Sequence, residues 1–300
     1  MIDAAALAWL GALELAGTAV FGLALLGEAY VRRRSAATRR GVWALAITVA
    51  LVLPFARLAL DAPTIAVAPW AARALLTVWA LGALGLLLRL LHGVLQVRRV
   101  RAASEELAAP DWAESLRGLH GPAVALRVSD ELRAPVVLGV WRPAIVVPRE
   151  MLDLPATGRR SLLAHELAHV ARADGLLLAA GAVVRAIYWV CPLAWTALRR
   201  LRARAEDAAD DAVLHAGVPS SSYAAQLVAV ARAQLERAGR VTAGGLRARV
   251  LAVLDSRRVR GPRMPRWGLP RMVGAALLLA SLVTACEARS SEPVVVVSRS

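Results

Sequence analysis

Four stretches of this chain are apolar over the length that a lipid bilayer demands. A hydrocarbon core of roughly 30 Å takes about 20 helical residues to cross, and in lipid a helix is the simplest way for a segment to satisfy its own backbone. The first stretch runs from about Ala4 to Ala29, the second from about Val42 to Leu60 and the third from about Ala71 to Val97. The fourth, from about Leu269 to Cys286, is shorter and leans on its flanks. With 58% hydrophobic residues and a mean hydropathy of +0.54, the whole chain lies well above an ordinary soluble domain.

The net charge of +15 comes entirely from arginine, since the sequence contains no lysine. These arginines gather at the ends of the apolar stretches, which suits membrane flanks better than a nucleic-acid surface. VRRRSAATRR separates the first and second stretches, QVRRVR follows the third, and RGPRMPRWGLPR precedes the fourth. DAPTIAVAP, between the second and third, has no basic residue. The positive-inside rule turns all three basic loops to the cytosol. Residues 1–97 are then three transmembrane helices with the N-terminus outside, and 98–266 form a domain at the cytosolic face. Residues 267–286 make a fourth transmembrane helix, and 287–300 a short extracytoplasmic tail. The expected location is the plasma (inner) membrane, multi-pass. MIDAAALAW has no basic start and does not read as a cleaved signal peptide. Two cysteines, Cys191 and Cys286, in separate apolar segments give no disulfide framework.

The inner segment begins with short β-branched runs punctuated by Gly and Pro. VALRVSD, APVVLG and PAIVVP read as strands of a small sheet, with residues 139–143 turning one strand into the next. Helical patterns follow in SLLAHELAHVAR, in ALRRLRARAEDAADDAVLHAG up to Gly217 and Pro219, and in AAQLVAVARAQLERAG. Between the first two lies an apolar run at 176–198. Arg185 interrupts it and Cys191-Pro192 breaks it. It reads as a helical hairpin, either buried in the domain or lying in the inner leaflet, because a full crossing would put the two helices on opposite sides of the membrane.

His165-Glu166-Leu167-Ala168-His169 carries the chemistry. Residues four apart share a helix face, so His165 and His169 can offer imidazole nitrogens to one Zn²⁺. Glu166 then stands beside the metal as general base for a water molecule. By composition the pattern arises by chance in roughly three chains per thousand. A catalytic zinc needs a third protein ligand, and the strongest candidate is Glu206 in EDAAD, on a helix that can pack antiparallel to the first. Asp210 lies one turn on and can accept the second ring N–H of His165 or of His169, fixing tautomer and orientation. Asp207 and Asp211 read as solvated residues.

SLLAHELAHVARAD, YWVCPLAW and AEDAADDAVL, preceded by APVVLGVWRPAIVVP, resemble the integral-membrane metallopeptidases of the BlaR/MecR antirepressor family. The resemblance covers roughly Ala134 to Gly217. It implies an α-helical membrane protein with an inserted α+β, gluzincin-like metalloprotease domain. It also implies zinc held by His165, His169 and Glu206, Glu166 as catalytic base, and Asp210 in support. The implied activity is regulated zinc-dependent endoproteolysis at the cytosolic face, in signal transduction. The implied partners are a cytosolic protein substrate of the winged-helix transcriptional-repressor kind and the lipid bilayer. A homodimer fits the pattern, and direct nucleic-acid contact does not. Named members carry a large extracellular penicillin-binding sensor after the fourth transmembrane helix. This chain has only EARSSEPVVVVSRS there, so a direct β-lactam sensor is not expected.

Two other functions are open to such a chain: a membrane quality-control metalloprotease with broad substrates, and a non-catalytic membrane receptor or scaffold. Glu14 lies inside the first apolar stretch, at a depth compatible with pairing to Arg57 in the second. His92 and His120 lack ligand spacing. His215 is near enough in sequence to serve as an oxyanion stabiliser. LVTAC at 282–286 resembles a lipobox and reads more simply as a helix end. A peptide substrate is expected to add as a strand beside PAIVVP.

Overall fold

The fold follows from where the helices outrun the membrane. A computed structural model describes residues 2–57, 67–139, 142–238 and 243–260. Among the described residues three helices are long and apolar enough to cross a bilayer: α1 (Ile2–Tyr30), α2 (Ala36–Arg57) and α3 (Pro69–Ala103). The expected fourth span at 267–286, with its lipobox-like end, and the tail at 287–300 lie outside the described residues. α2 starts six residues before the apolar run because the Ser35 hydroxyl accepts the Thr38 N–H at 3.3 Å, capping the helix. That extension brings Arg39 and Arg40 onto the helix. α3 opens with a proline in its first turn, where no amide is missed. At 35 residues it is about 52 Å long by the helical rise. Its last turns therefore leave the membrane, and Arg101 there donates to the Leu138 carbonyl at 3.0 Å.

The apolar run at 176–198 is a helical hairpin of α6 (Asp174–Ile187) and α7 (Pro192–His215). Pro192 has no amide to extend α6 and instead starts α7. The tip packs among α1, α2 and α3, with Tyr188 and Cys191 buried. The Tyr188 hydroxyl donates to the Ala50 carbonyl at 2.9 Å, and its ring meets Phe21 edge-on at 5.9 Å. Trp189 donates its indole N–H to the Trp79 carbonyl at 3.1 Å, and Trp79 donates its own to Ile187 at 3.2 Å. Glycine at positions 17 and 82 makes room, since a Cβ on either would overlap the ring of Tyr188 or Trp189. The Glu14 carboxylate is shielded from solvent in this region, near the Trp79 side chain. The side chain of Arg57 lies outside them, and so does the pairing read from the sequence.

Outside the bundle, four strands form a mixed sheet: β1 (Glu105–Glu106), β2 (Ala125–Ser129), β3 (Val136–Leu138) and β4 (Ala144–Pro148). Their spatial order is β1-β2-β4-β3, with β2 and β4 parallel and the outer pairs antiparallel. β4 is central and buried throughout, which explains its unbroken apolar run. It has neighbours on both sides, so a substrate strand has no edge to join there. That corrects the expectation drawn from PAIVVP: the edge strands are β1 and β3, and β3 is the one beside β4. α4 (Pro110–Arg117) and α5 (Ala156–Ala171) close a core of Trp112, Ile145, Val147 and Leu163 against the sheet. α8 (Ser220–Ala238) and α9 (Ala243–Leu254) add a second core through Val213, Tyr223 and Val253.

Candidate active site

α5 presents His165 and His169 one turn apart, their rings edge-on with centroids at 4.9 Å. The two Nε2 atoms approach to 3.3 Å. α7 packs against α5 and points Glu206 at the same place: Oε2 lies 3.5 Å from His165 Nε2, and Oε1 lies 3.7 Å from His169 Nε2. One ligand atom from each of the three falls within 4.8 Å of the others.

The remaining ring nitrogens are held from outside. His169 Nδ1 is 2.7 Å from Asp174 Oδ2. His165 Nδ1 is 3.3 Å from Asp210 Oδ1 and 3.1 Å from the Tyr223 hydroxyl. Tyr223 donates to Asp210 at 2.7 Å, and Arg249 reaches the same carboxylate with Nε at 2.9 Å and Nη2 at 2.8 Å. A histidine that donates from Nδ1 to a carboxylate keeps a lone pair on Nε2. Two such lone pairs at 3.3 Å repel each other and the Glu206 carboxylate unless a cation lies between them. Two imidazoles and one carboxylate are also a familiar catalytic-zinc donor set. The residues fit zinc.

The electrostatics agree. Burial alone would lower the pKa of His165, but the carboxylates of Asp210 and Glu206 outweigh it and raise the group to about 9. The field that holds a proton there favours a metal cation in its place. Burial would raise Glu206, yet His165, His169 and Arg249 bring it down to about 2, so it stays an anionic ligand. Asp210 is likewise held below the carboxylate range, by His165 and Arg249 against burial. Glu166 goes the other way: burial pushes its carboxyl up, against the pull of His165 and His169. A carboxylate with raised proton affinity is what a general base needs.

The junction of α5 and α6 aims Asp174. Ala173 adopts a left-handed conformation, φ 52°, and the two helices meet at 56°. That bend turns Asp174 back onto His169. Arg172 donates to Asp174 Oδ2 at 3.1 Å through Nη2, and Arg40 of α2 donates to Oδ1 at 2.7 Å through Nε.

The site opens into a cleft of about 1280 Å³ between α3, α5, α6 and the free edge of β3. Glu166, Tyr223 and Arg249 line it together with the two histidines and Glu206. His215, the candidate oxyanion stabiliser, is not among the lining residues. It lies over two turns beyond Glu206, with Nδ1 on the Asp211 carbonyl at 2.7 Å. Asp207 is not solvated as expected: it pairs with Arg204 at 2.7 Å. Asp211 is also buried rather than solvated, with Arg258 3.8 Å away. Sequence reasoning missed Asp174, Tyr223, Arg249 and Arg40. Of these only Asp174, at the end of HVARAD, stood close enough to the motif to be suspected.

The BlaR1 peptidase M56 family matches residues 55–249 of the chain, a stretch that contains all of these residues except Arg40. The regulatory protein BlaR1 of Bacillus licheniformis is 28% identical over 149 residues. That match covers 47% of this chain and 24% of the relative, so the likeness spans about a quarter of that protein.

Proposed function

The chain belongs to the BlaR1 peptidase M56 family, and from that premise we propose that it is a zinc endopeptidase of the membrane, working at the cytosolic face. Its substrate would be a cytosolic protein of the transcriptional-repressor kind, cleaved in a signalling response. The observation that carries the reading is the meeting of two Nε2 lone pairs and the Glu206 carboxylate beside Glu166, at the floor of an open cleft. The sheet and α5 then correspond to the α+β part of a gluzincin-like peptidase.

His165, His169 and Glu206 would hold the metal, which supplies Lewis acidity to water and to the scissile carbonyl. The residues supply everything else. Glu166 takes a proton from the attacking water and can return it to the departing amine. Asp174 and Asp210 fix the imidazole tautomers, so no ring has to reorient during turnover. Arg249 braces Glu206 at 3.2 Å. The open edge of β3 offers backbone groups to an extended peptide, leaving side chains to be read by the cleft.

Glu166→Gln tests the reading. The amide keeps the shape and lacks the basicity, so zinc content should stay at one per chain while cleavage falls at least about a hundredfold. Comparing protein turnover in cells carrying each form would also reveal the substrate. Activity near wild type in the glutamine variant would transfer the role of base to another group.

A further inference from the structure

We infer that Arg40, on the membrane helix α2, is a positioning residue for the metal ligand His169, so that the seating of α2 sets metal affinity. The inference rests on the zinc-centre reading and adds a link between membrane and site. Arg40 and Asp174 are both deeply buried, with side chains 5% and 2% exposed. The two oxygens of Asp174 are divided. Oδ1 takes Arg40 Nε at 2.7 Å, and Oδ2 takes His169 Nδ1, also at 2.7 Å. Arg40 also donates from Nη2 to the Arg172 carbonyl at 3.0 Å, gripping the α5–α6 bend itself. Burying an ion pair costs desolvation that well-packed apolar residues would avoid. Packing alone therefore gives no reason for a charge here. The charge fixes the rotation of the carboxylate, and the carboxylate fixes the ring.

A second buried carboxylate in the same region, with more exposed arginine partners, serves as the comparison. Glu28, at the end of α1, accepts from Arg204 Nε at 2.6 Å and from Arg200 at 3.3 Å, with its own side chain 7% exposed. It ties a membrane helix to α7, as Arg40 ties α2 to α6, but neither of these two bonds reaches a metal ligand. Loss of either pair should cost stability. Only loss of Arg40 should loosen the metal.

The experiment uses the full chain in lipid nanodiscs, with Zn²⁺ affinity read by chelator competition and ligand geometry by the visible bands of the Co²⁺ form. Arg40→Gln should weaken zinc about tenfold and shift the Co²⁺ bands. Arg40→Lys, which keeps the charge but not the fork, should recover part of that loss. Glu28→Gln should lower the melting temperature and leave zinc affinity within about twofold. The inference is overturned if Arg40→Gln binds zinc like wild type with unshifted bands, or if Glu28→Gln loosens zinc as much as Arg40→Gln does. Should Arg40→Gln fail to fold, Arg40→Lys decides on the same measure: weaker zinc supports the link, unchanged zinc ends it. A wild-type chain that binds no zinc sinks the metal-centre reading itself, a different result from a zinc-loaded wild type indifferent to Arg40.

Discussion

At the scale of single residues, the site divides into what helix spacing can show and what it cannot. His165, Glu166 and His169 are visible because four residues make one turn, and Glu206 because EDAAD stands out on its helix. The sequence left Asp210 open between the two histidines, and the structure gives it to His165. The partner of His169 is Asp174, five residues further on. A continuous helix would carry residue 174 away from that ring, and only the left-handed Ala173 brings it back. Tyr223 and Arg249 come from α8 and α9, with no local signal. Two expectations follow. Glu206→Ala should abolish stoichiometric zinc, whereas Asp207→Ala should keep it, because Asp207 faces Arg204 and Arg39 rather than the histidines. Elemental analysis of the purified variants decides, and equal metal in both would remove Glu206 from the site. Tyr223→Phe removes the hydroxyl that bridges Asp210 and His165, and should weaken zinc by about tenfold in chelator competition. Unchanged affinity would make Tyr223 a packing residue only.

At the scale of elements, the bends and close approaches matter most. Ala173 holds a conformation that costs an L-residue about 1–2 kcal/mol, while glycine gives back about 0.5–1 kcal/mol through its freer unfolded state. Ala173→Gly should therefore be slightly stabilising, by about 0.5 kcal/mol, and Ala173→Val clearly destabilising, by about 1–3 kcal/mol. Thermal unfolding in nanodiscs measures both, and a valine variant as stable as wild type would mean the bend relaxes elsewhere. Gly82→Val should cost about 1–3 kcal/mol, since a Cβ there meets Trp189 at 2.5 Å. Hydropathy made α1, α2, α3 and three of the strands legible. It could not reveal β1 and α4, which are too short to show a period. It also could not place the 176–198 hairpin, because a buried hairpin and a broken span share one composition. In the structure Tyr188, Trp189 and Cys191 bond to α2, α3 and α1, more than a hundred residues away in sequence.

At the scale of the whole molecule, helix arithmetic gives the depth of the site. Trp79, which meets the hairpin tip, is ten residues into α3, or about 15 Å from its start and half of a core of roughly 30 Å. Glu206 is fourteen residues beyond Pro192, or about 21 Å back from the tip. With the helices near the bilayer normal, the His165, His169 and Glu206 cluster is expected to lie just past the edge of the hydrocarbon. It is close enough for the membrane helices to grip its ligands and wet enough for hydrolysis. On that arithmetic α7 is expected to pass from lipid to water along its own length. Trp195 and Ala203 are both exposed on the protein surface, one about 5 Å and the other about 16 Å from the start of the helix. In a background with Cys191→Ala and Cys286→Ala, Trp195→Cys should react only with a membrane-permeant maleimide. Ala203→Cys should react with an impermeant one in inverted vesicles and resist it in right-side-out vesicles if the basic loops face the cytosol as the positive-inside rule predicts. Labelling of Ala203→Cys from the outside would reverse the proposed orientation and, with it, the compartment of the substrate. Labelling of Trp195→Cys by the impermeant reagent would lift the hairpin out of the bilayer.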